Sequence, residues 1–275
     1  MVDERRGSGA RRPRPASAGP VTSRRAPRPE RDVPRSGPGR ARREQPKHTS
    51  GGNGSGSGPP IPPDVEANQL APEIRRELST LDRATADTVA RHLVAAGVLI
   101  DDDPEAALSH ARAARARSGR IAAIREAVGI AAYHCGDWAQ ALAELRAARR
   151  MGSKSALLPL IADCERGLGR PERAIELARG PEAAQLSGDD ADELRIVAAG
   201  ARADLGQLEQ ALTVLSTPPL DPRRTGSTAA RLFYAYAETL LALDRSDEAL
   251  QWFLRSAAAD VDGVTDAEER VSELA

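Results

Sequence analysis

Aromatic residues are scarce in this 275-residue chain: there are seven, and all lie between Tyr133 and Phe253. The first 60 residues therefore offer no ring to stack on a base or to seed a core. They also have few large aliphatic side chains, so burial cannot offset the entropy of ordering them. Cysteine is limited to Cys135 and Cys164, too few for a disulfide framework. Zinc ligands in the usual doubled spacing are missing as well, and both thiols read as small buried hydrophobes. No apolar run approaches the roughly 20 residues that span a bilayer. The opening residues, Met1 to Arg6, lack the apolar stretch of a secretory leader, so a cytoplasmic chain is expected. Lysine is almost absent, with Lys47 and Lys154 alone, which leaves the cationic chemistry to arginine.

The charges that are present are sorted by position. Residues 1–60 carry 14 of the 39 basic residues and 5 of the 40 acidic ones, a net +9, while the remainder carries −10. Residues 1–63 are expected to form a disordered Arg/Pro/Gly-rich basic tail, and 70–275 a helical domain. Arg11, Arg12, Arg14, Arg24, Arg25, Arg42 and Arg43 are the densest part of the tail's charge. Such a string can neutralise phosphates without choosing a sequence, which makes weak nucleic-acid association one reading. Anionic lipid and the chain's own acidic body are the competing ones. Gly54 to Gly58 follows no strand and lacks the Lys-Ser/Thr ending of a phosphate loop.

After residue 70 there is no alternating pattern, and apolar residues recur at helical spacing, as in Val89, Leu93, Ala96 and Leu99. The helical sequence also repeats. A turn followed by an Ala-Leu or Ala-Ile pair occurs at Ala107-Leu108, Ala141-Leu142, Ala174-Ile175, Ala211-Leu212 and Ala249-Leu250. The alanines are 34, 33, 37 and 38 residues apart. Gly136, Gly169 and Gly206 sit in three of the turns, where positive φ ends a helix. Pro104 and Pro171 fall where a second helix would begin and needs no amide donor. Seven residues before each turn is a second small residue, Ala95, Gly129, Ala162, Ala199 or Ala237. Small residues at both crossings let the two helices of a hairpin approach closely. Leu145, Leu215 and Phe253, four residues after their alanines, would fill the space beside them.

On these residues the chain resembles the tetratricopeptide repeat (TPR) family, most clearly over Arg125 to Ala148 and in the fifth repeat. The resemblance spans about residues 86–260. The tail-plus-repeat layout, with the stretch Ala162 to Arg173, also resembles a group of actinobacterial repeat proteins that carry no assigned activity. The family resemblance implies an all-α fold: a right-handed α-solenoid of about five hairpins with capping helices, behind the tail. Pro181 and Pro218 depart from the family pattern and should stop two second helices near Gly180 and Thr217, leaving linkers at 181–191 and 218–228. Caps are expected from Pro72 to about Leu81 and from Thr265 to Leu274.

The resemblance further implies a concave groove, built from the first helix of each repeat, that binds a peptide. His92, Glu126, Tyr133, His134, Asp163, Arg166, Arg231, Tyr234 and Glu238 would face it. The Lys and Asn clamp of chaperone-binding relatives is missing, so chaperone tails are not the expected ligand. Five aromatics, Phe233, Tyr234, Tyr236, Trp252 and Phe253, crowd the last repeat, where closing the core is the simpler role. Asp101, Asp102 and Asp103 lack the glycine and final glutamate of a calcium loop and read as helix-start charge. No triad, paired-carboxylate pocket or cofactor fingerprint stands out, and neither a cofactor nor a metal is expected. The sequence thus points to a non-enzymatic scaffold for a protein or peptide segment. An RNA- or ribosome-associated factor working through its tail is the alternative.

Overall fold

The computed structural model describes residues 58–153 and 156–275, which hold twelve α-helices and no strand. The arginines singled out in the tail lie outside the described residues. The helices pair in chain order. After α1 (Pro72–Leu78) come α2 (Arg83–Leu99) with α3 (Pro104–Arg117), and α4 (Ala122–His134) with α5 (Trp138–Arg150). Then come α6 (Leu158–Gly167) with α7 (Pro171–Ala178), α8 (Gly188–Asp204) with α9 (Leu208–Leu215), and α10 (Ser227–Ala242) with α11 (Ser246–Ala259). α12 (Ala267–Leu274) closes the array against α11.

The turns explain why the hairpins form where they do. Gly136, Gly169 and Gly206 adopt φ of 71°, 73° and 73°, and the fifth turn puts Asp244 in the same left-handed region at 60°. Each turn then returns two amides to the end of the preceding helix, as in Gly136 N to Tyr133 O at 3.0 Å and Asp137 N to Ala132 O at 2.9 Å. The first turn, between α2 and α3, has no positive φ. There Asp103 bonds back to Leu99 O at 2.8 Å, and its carboxylate caps α3 through Ala106 N at 3.0 Å. Asp82 and Asp137 cap α2 and α5 in the same way. α1 stops at Leu78, short of the expected Leu81. The Ser79 and Thr80 hydroxyls donate to Arg76 O and Glu77 O, giving the backbone a local alternative to another helical turn.

The small residues mark the crossings. All five turn-side alanines are fully buried, as are Ala95, Ala162, Ala199 and Ala237. Gly129 marks a crossing too close for a side chain, since a Cβ there would fall 2.7 Å from two carbons of the Leu145 side chain. The leucine that fills the space beside Ala141 thus needs the glycine opposite.

The prolines cut the second helices as expected. α7 and α9 are eight residues each, against 14 and 13 for α3 and α5. The linker after α7 is shorter than 181–191, because α8 already starts at Gly188 behind an extended Ser187, with Asp189 and Asp190 favouring its first turn. Residues 58–70, which straddle the sequence-derived boundaries at 63 and 70, pack on the first hairpin. Val65 and Leu70 are buried, Arg91 Nε donates to Val65 O at 3.0 Å, and a Cβ on Gly58 would lie 2.4 Å from Ala113.

Candidate functional site

The first helices carry the residues expected to face a groove, and the structure shows what each touches. Tyr133 on α4 donates its hydroxyl to Asp163 Oδ2 on α6 at 2.5 Å. Arg166, one turn further along α6, donates to Asp163 Oδ1 at 2.8 Å and to Asp204 Oδ2 on α8 at 2.6 Å. Three neighbouring first helices are thereby laced together. Burial, then the Asp163 charge, pushes the Tyr133 phenol well above its usual range, so it stays a donor. Burial works against the Arg166 cation, but the Asp163 and Asp204 carboxylates outweigh it and raise its pKa.

The lacing continues toward the C-terminus. Arg231 on α10 pairs through Nη2 with Glu193 on α8, while its Nε and Nη1 are buried with no acceptor. Glu238 accepts from Arg270 Nε on α12 at 2.8 Å, and the same guanidinium lies 5.5 Å from the Phe253 ring centre. Tyr234 meets Phe253 edge-on at 5.3 Å. Burial, then the neighbouring Asp266 and Glu238, pushes its hydroxyl up. Tyr234 and Glu238 are therefore engaged by residues of the C-terminal cap.

The remaining expected positions stand outside these hydrogen-bonded links. Glu126 is half-buried and accepts from Ser153 Oγ at 2.7 Å. His134 is half-buried, its Nε2 has no partner, and desolvation lowers its pKa against the pull of Asp101. His92 is buried in the α2–α3 hairpin, its Nδ1 3.0 Å from the Nδ1 of His110. Burial, with help from His110, Arg117 and Arg91, lowers the His92 pKa to about 4, and the ring is neutral. The structure thus joins Tyr133, Asp163 and Arg166, with the His134 ring edge-on to Tyr133 at 6.0 Å, joins Tyr234 and Glu238 through α12, and leaves His92, Glu126 and Arg231 apart.

Other sequence candidates resolve simply. Cys164 is fully buried on α6, where desolvation pushes its thiol up to about 12. Cys135, the C-cap of α4, is half-buried and also raised by desolvation. Among the described residues, no group of three or more His, Cys, Asp or Glu side chains could hold a metal. None of their helices is long and apolar enough to cross a membrane. The last repeat's aromatics pack on one another: Trp252 contacts Phe233 at 5.3 Å and Tyr236 at 5.0 Å, with Arg255 stacked 4.4 Å from its ring.

Pairwise charge is the rule at the junctions between hairpins. Glu144, buried on α5, takes Arg115 from α3 at 2.7 Å and Arg125 from α4 at 2.9 Å. Glu165, buried on α6, takes Arg146 from α5 at 2.5 Å and Arg170 at 3.3 Å. Asp192 on α8 takes Arg195 at 2.6 Å and Arg224 from the linker before α10. A buried charge tolerates such a position only when paired, and here each carboxylate is.

Two clefts flank Gly180 and Pro181, where α7 is cut short. One, of about 340 Å³, is edged by Arg146, Arg149 and Arg173, each already paired with Glu165, Glu182 or Glu176. The other, of about 350 Å³, has an apolar floor of Ile175, Leu194 and Val214 and three arginines, Arg179, Arg195 and Arg202. Periodicity alone does not reveal either cleft; the signal in the sequence is Pro181, which cuts α7 short beside both.

No protein-family profile matches the chain, and no curated protein matches it. Among solved structures, the chain is similar to YrrB, described as a TPR protein with an unusual peptide-binding site. That match covers 72% of this chain and 97% of the other, at 15% identity and a TM-score of 0.39. The stack of helical hairpins is defined by the chain's own turns and crossings.

Proposed function

We propose that this chain is a non-enzymatic scaffold that holds a segment of another protein along the inner faces of its first helices. The observation that carries the reading is Arg231, whose Nε and Nη1 are buried without an acceptor while Nη2 is fixed by Glu193. An unmatched buried donor costs about 1–3 kcal/mol, which is recovered if a bound segment draws the partly exposed guanidinium toward a carbonyl or carboxylate. Glu193 anchors Nη2, so the shift is a pivot of the guanidinium about that contact. The Tyr133–Asp163–Arg166–Asp204 lacing supports the reading in a second way, by presenting a row of polar groups with fixed geometry. The alternative, association with RNA through the basic tail, concerns residues outside those described.

The test is affinity purification with the full-length chain, with and without nuclease, beside the Arg231→Ala variant. A discrete protein partner should survive nuclease and drop about tenfold with Arg231→Ala. Capture that vanishes with nuclease and ignores Arg231→Ala sinks the proposal and favours the tail.

A further inference from the structure

Five Asp, Glu or Arg side chains are buried among the described residues: Glu144, Asp163, Glu165, Asp192 and Arg202. The four carboxylates each meet at least one guanidinium. Arg202 is the exception. It is 9% exposed, and its Nη1 donates to the neutral Gln207 amide oxygen at 2.9 Å, with no carboxylate in reach. A buried cation without a counter-charge is costly, and such groups are ordinarily matched by an anion.

Arg202 lies in the wall of the 350 Å³ cleft, and the rest of that wall has the same bias. Arg195 lines it as well, although its Nη1 is paired with Asp192, and Arg179 is exposed with no ion pair among the described residues. No Asp or Glu lines the cleft. Its floor is aliphatic, and its volume falls within the range of small binding pockets. The neighbouring cleft is the contrast, since all three guanidiniums there have their own carboxylate, whereas here only Arg195 does.

The cleft also faces away from the inner surface. With about 3.6 residues per turn, Ala191, Leu194, Arg195, Ala198 and Arg202 form one stripe of α8. Glu193, Gly200 and Asp204, which meet Arg231 or Arg166, form another, roughly 180° around the helix. The cleft exists because α7 and α9 are short, which leaves that side of α8 uncovered.

We propose that this cleft docks an acidic protein segment bearing a leucine-like side chain. The apolar group sits between Ile175, Leu194 and Val214, and the flanking carboxylates are taken by Arg202 and Arg179. This is a second interaction surface, independent of the inner-face reading.

The experiment is fluorescence anisotropy of the full-length chain with two labelled peptides of equal negative charge. One alternates glutamate with leucine, the other glutamate with glutamine. Charge alone can draw both to the basic tail, so the difference between them reports the cleft. The leucine peptide should bind about tenfold more tightly. That preference should vanish with Ala184→Trp, which places an indole at the mouth, and with Arg179→Glu. Both positions are exposed, and a melting curve for each variant checks that it folds. Arg231→Ala should leave the preference intact. Equal binding of the two peptides, no binding of the leucine peptide, or a preference that survives both cleft variants overturns the proposal. A preference lost only in Arg231→Ala also overturns it, and places the peptide on the inner face instead.

Discussion

The first two complete hairpins and the two that follow share the buried small residues at their crossings and then diverge. In α3 and α5 the second helix runs 14 and 13 residues, begins at an aspartate cap, and covers the first helix along its length. In α7 and α9 it runs eight residues, begins without a side-chain cap, and ends before a proline. The front of the array is consequently sealed: Gly129 and Leu145 meet at van der Waals limits and Ala141 is wholly buried. The rear leaves the side of α8 open as a cleft. A repeat of this kind needs only its turn and its crossing to fold, and the outer end of the second helix decides whether surface is left over for binding.

The comparison can be broken most sharply by truncating one side chain in each half. Leu145→Ala should cost about 2–5 kcal/mol, the range for a fully buried leucine in a rigid site. Ile175→Ala, on the floor of a cleft that is already open, should cost about 1 kcal/mol, because it creates no new enclosed void. Denaturant titration of both variants gives the two numbers, and equal losses would mean the rear is packed as tightly as the front.

Acid should act on the first hairpin before the rest. The His92 pKa falls from 6.5 unfolded to about 4 folded, so between those values the unfolded chain binds the extra proton and stability declines as pH falls. His110, lowered by burial, adds in the same direction. Above pH 6.5 this contribution is fully present. Melting temperatures measured from pH 7 to 4 should fall, and His92→Gln should flatten the part of the curve that belongs to the pair. An unchanged curve would show that the two rings carry no penalty for charging.

The smallest effect concerns the turns. Asp244 sits at φ 60° where the three preceding turns have glycine. Asp244→Gly should stabilise the chain by about 0.5–1 kcal/mol, since glycine enters the left-handed region without strain. A loss of stability would mean the aspartate side chain supports the turn more than the backbone resists it.

The repeats, their phase, the left-handed glycines and the shortened second helices could all be read from the sequence, because each depends on residues within one hairpin. The fate of the inner-face side chains could not. Tyr133 and Asp163 are 30 positions apart, and Arg166 and Asp204 are 38. Such contacts depend on how one hairpin is rotated against the next, and periodicity says nothing about that angle. His92 shows the same limit at closer range. Its position in the repeat suits a groove, but the backbone at Gly58 passes over it and His110 faces it, contacts that only the folded chain reveals. Arg202 was invisible because what sets it apart is a neutral partner, Gln207, where the other buried charges have an opposite one.

The charge pairs at the junctions have a consequence for how the array comes apart. Glu144 depends on an arginine from the preceding hairpin, Glu165 likewise, and Asp192 on one from the linker to the next. Each also keeps an arginine of its own hairpin, Arg125, Arg170 or Arg195, so a fraying end unit removes half of the pairing and leaves the other half in place. Thinning the counter-charge around a buried carboxylate still costs free energy, which opposes stepwise peeling. Stacked repeats are otherwise free to melt piecemeal from their ends. Here the electrostatic links tie each hairpin to its neighbour and bias the units toward melting together.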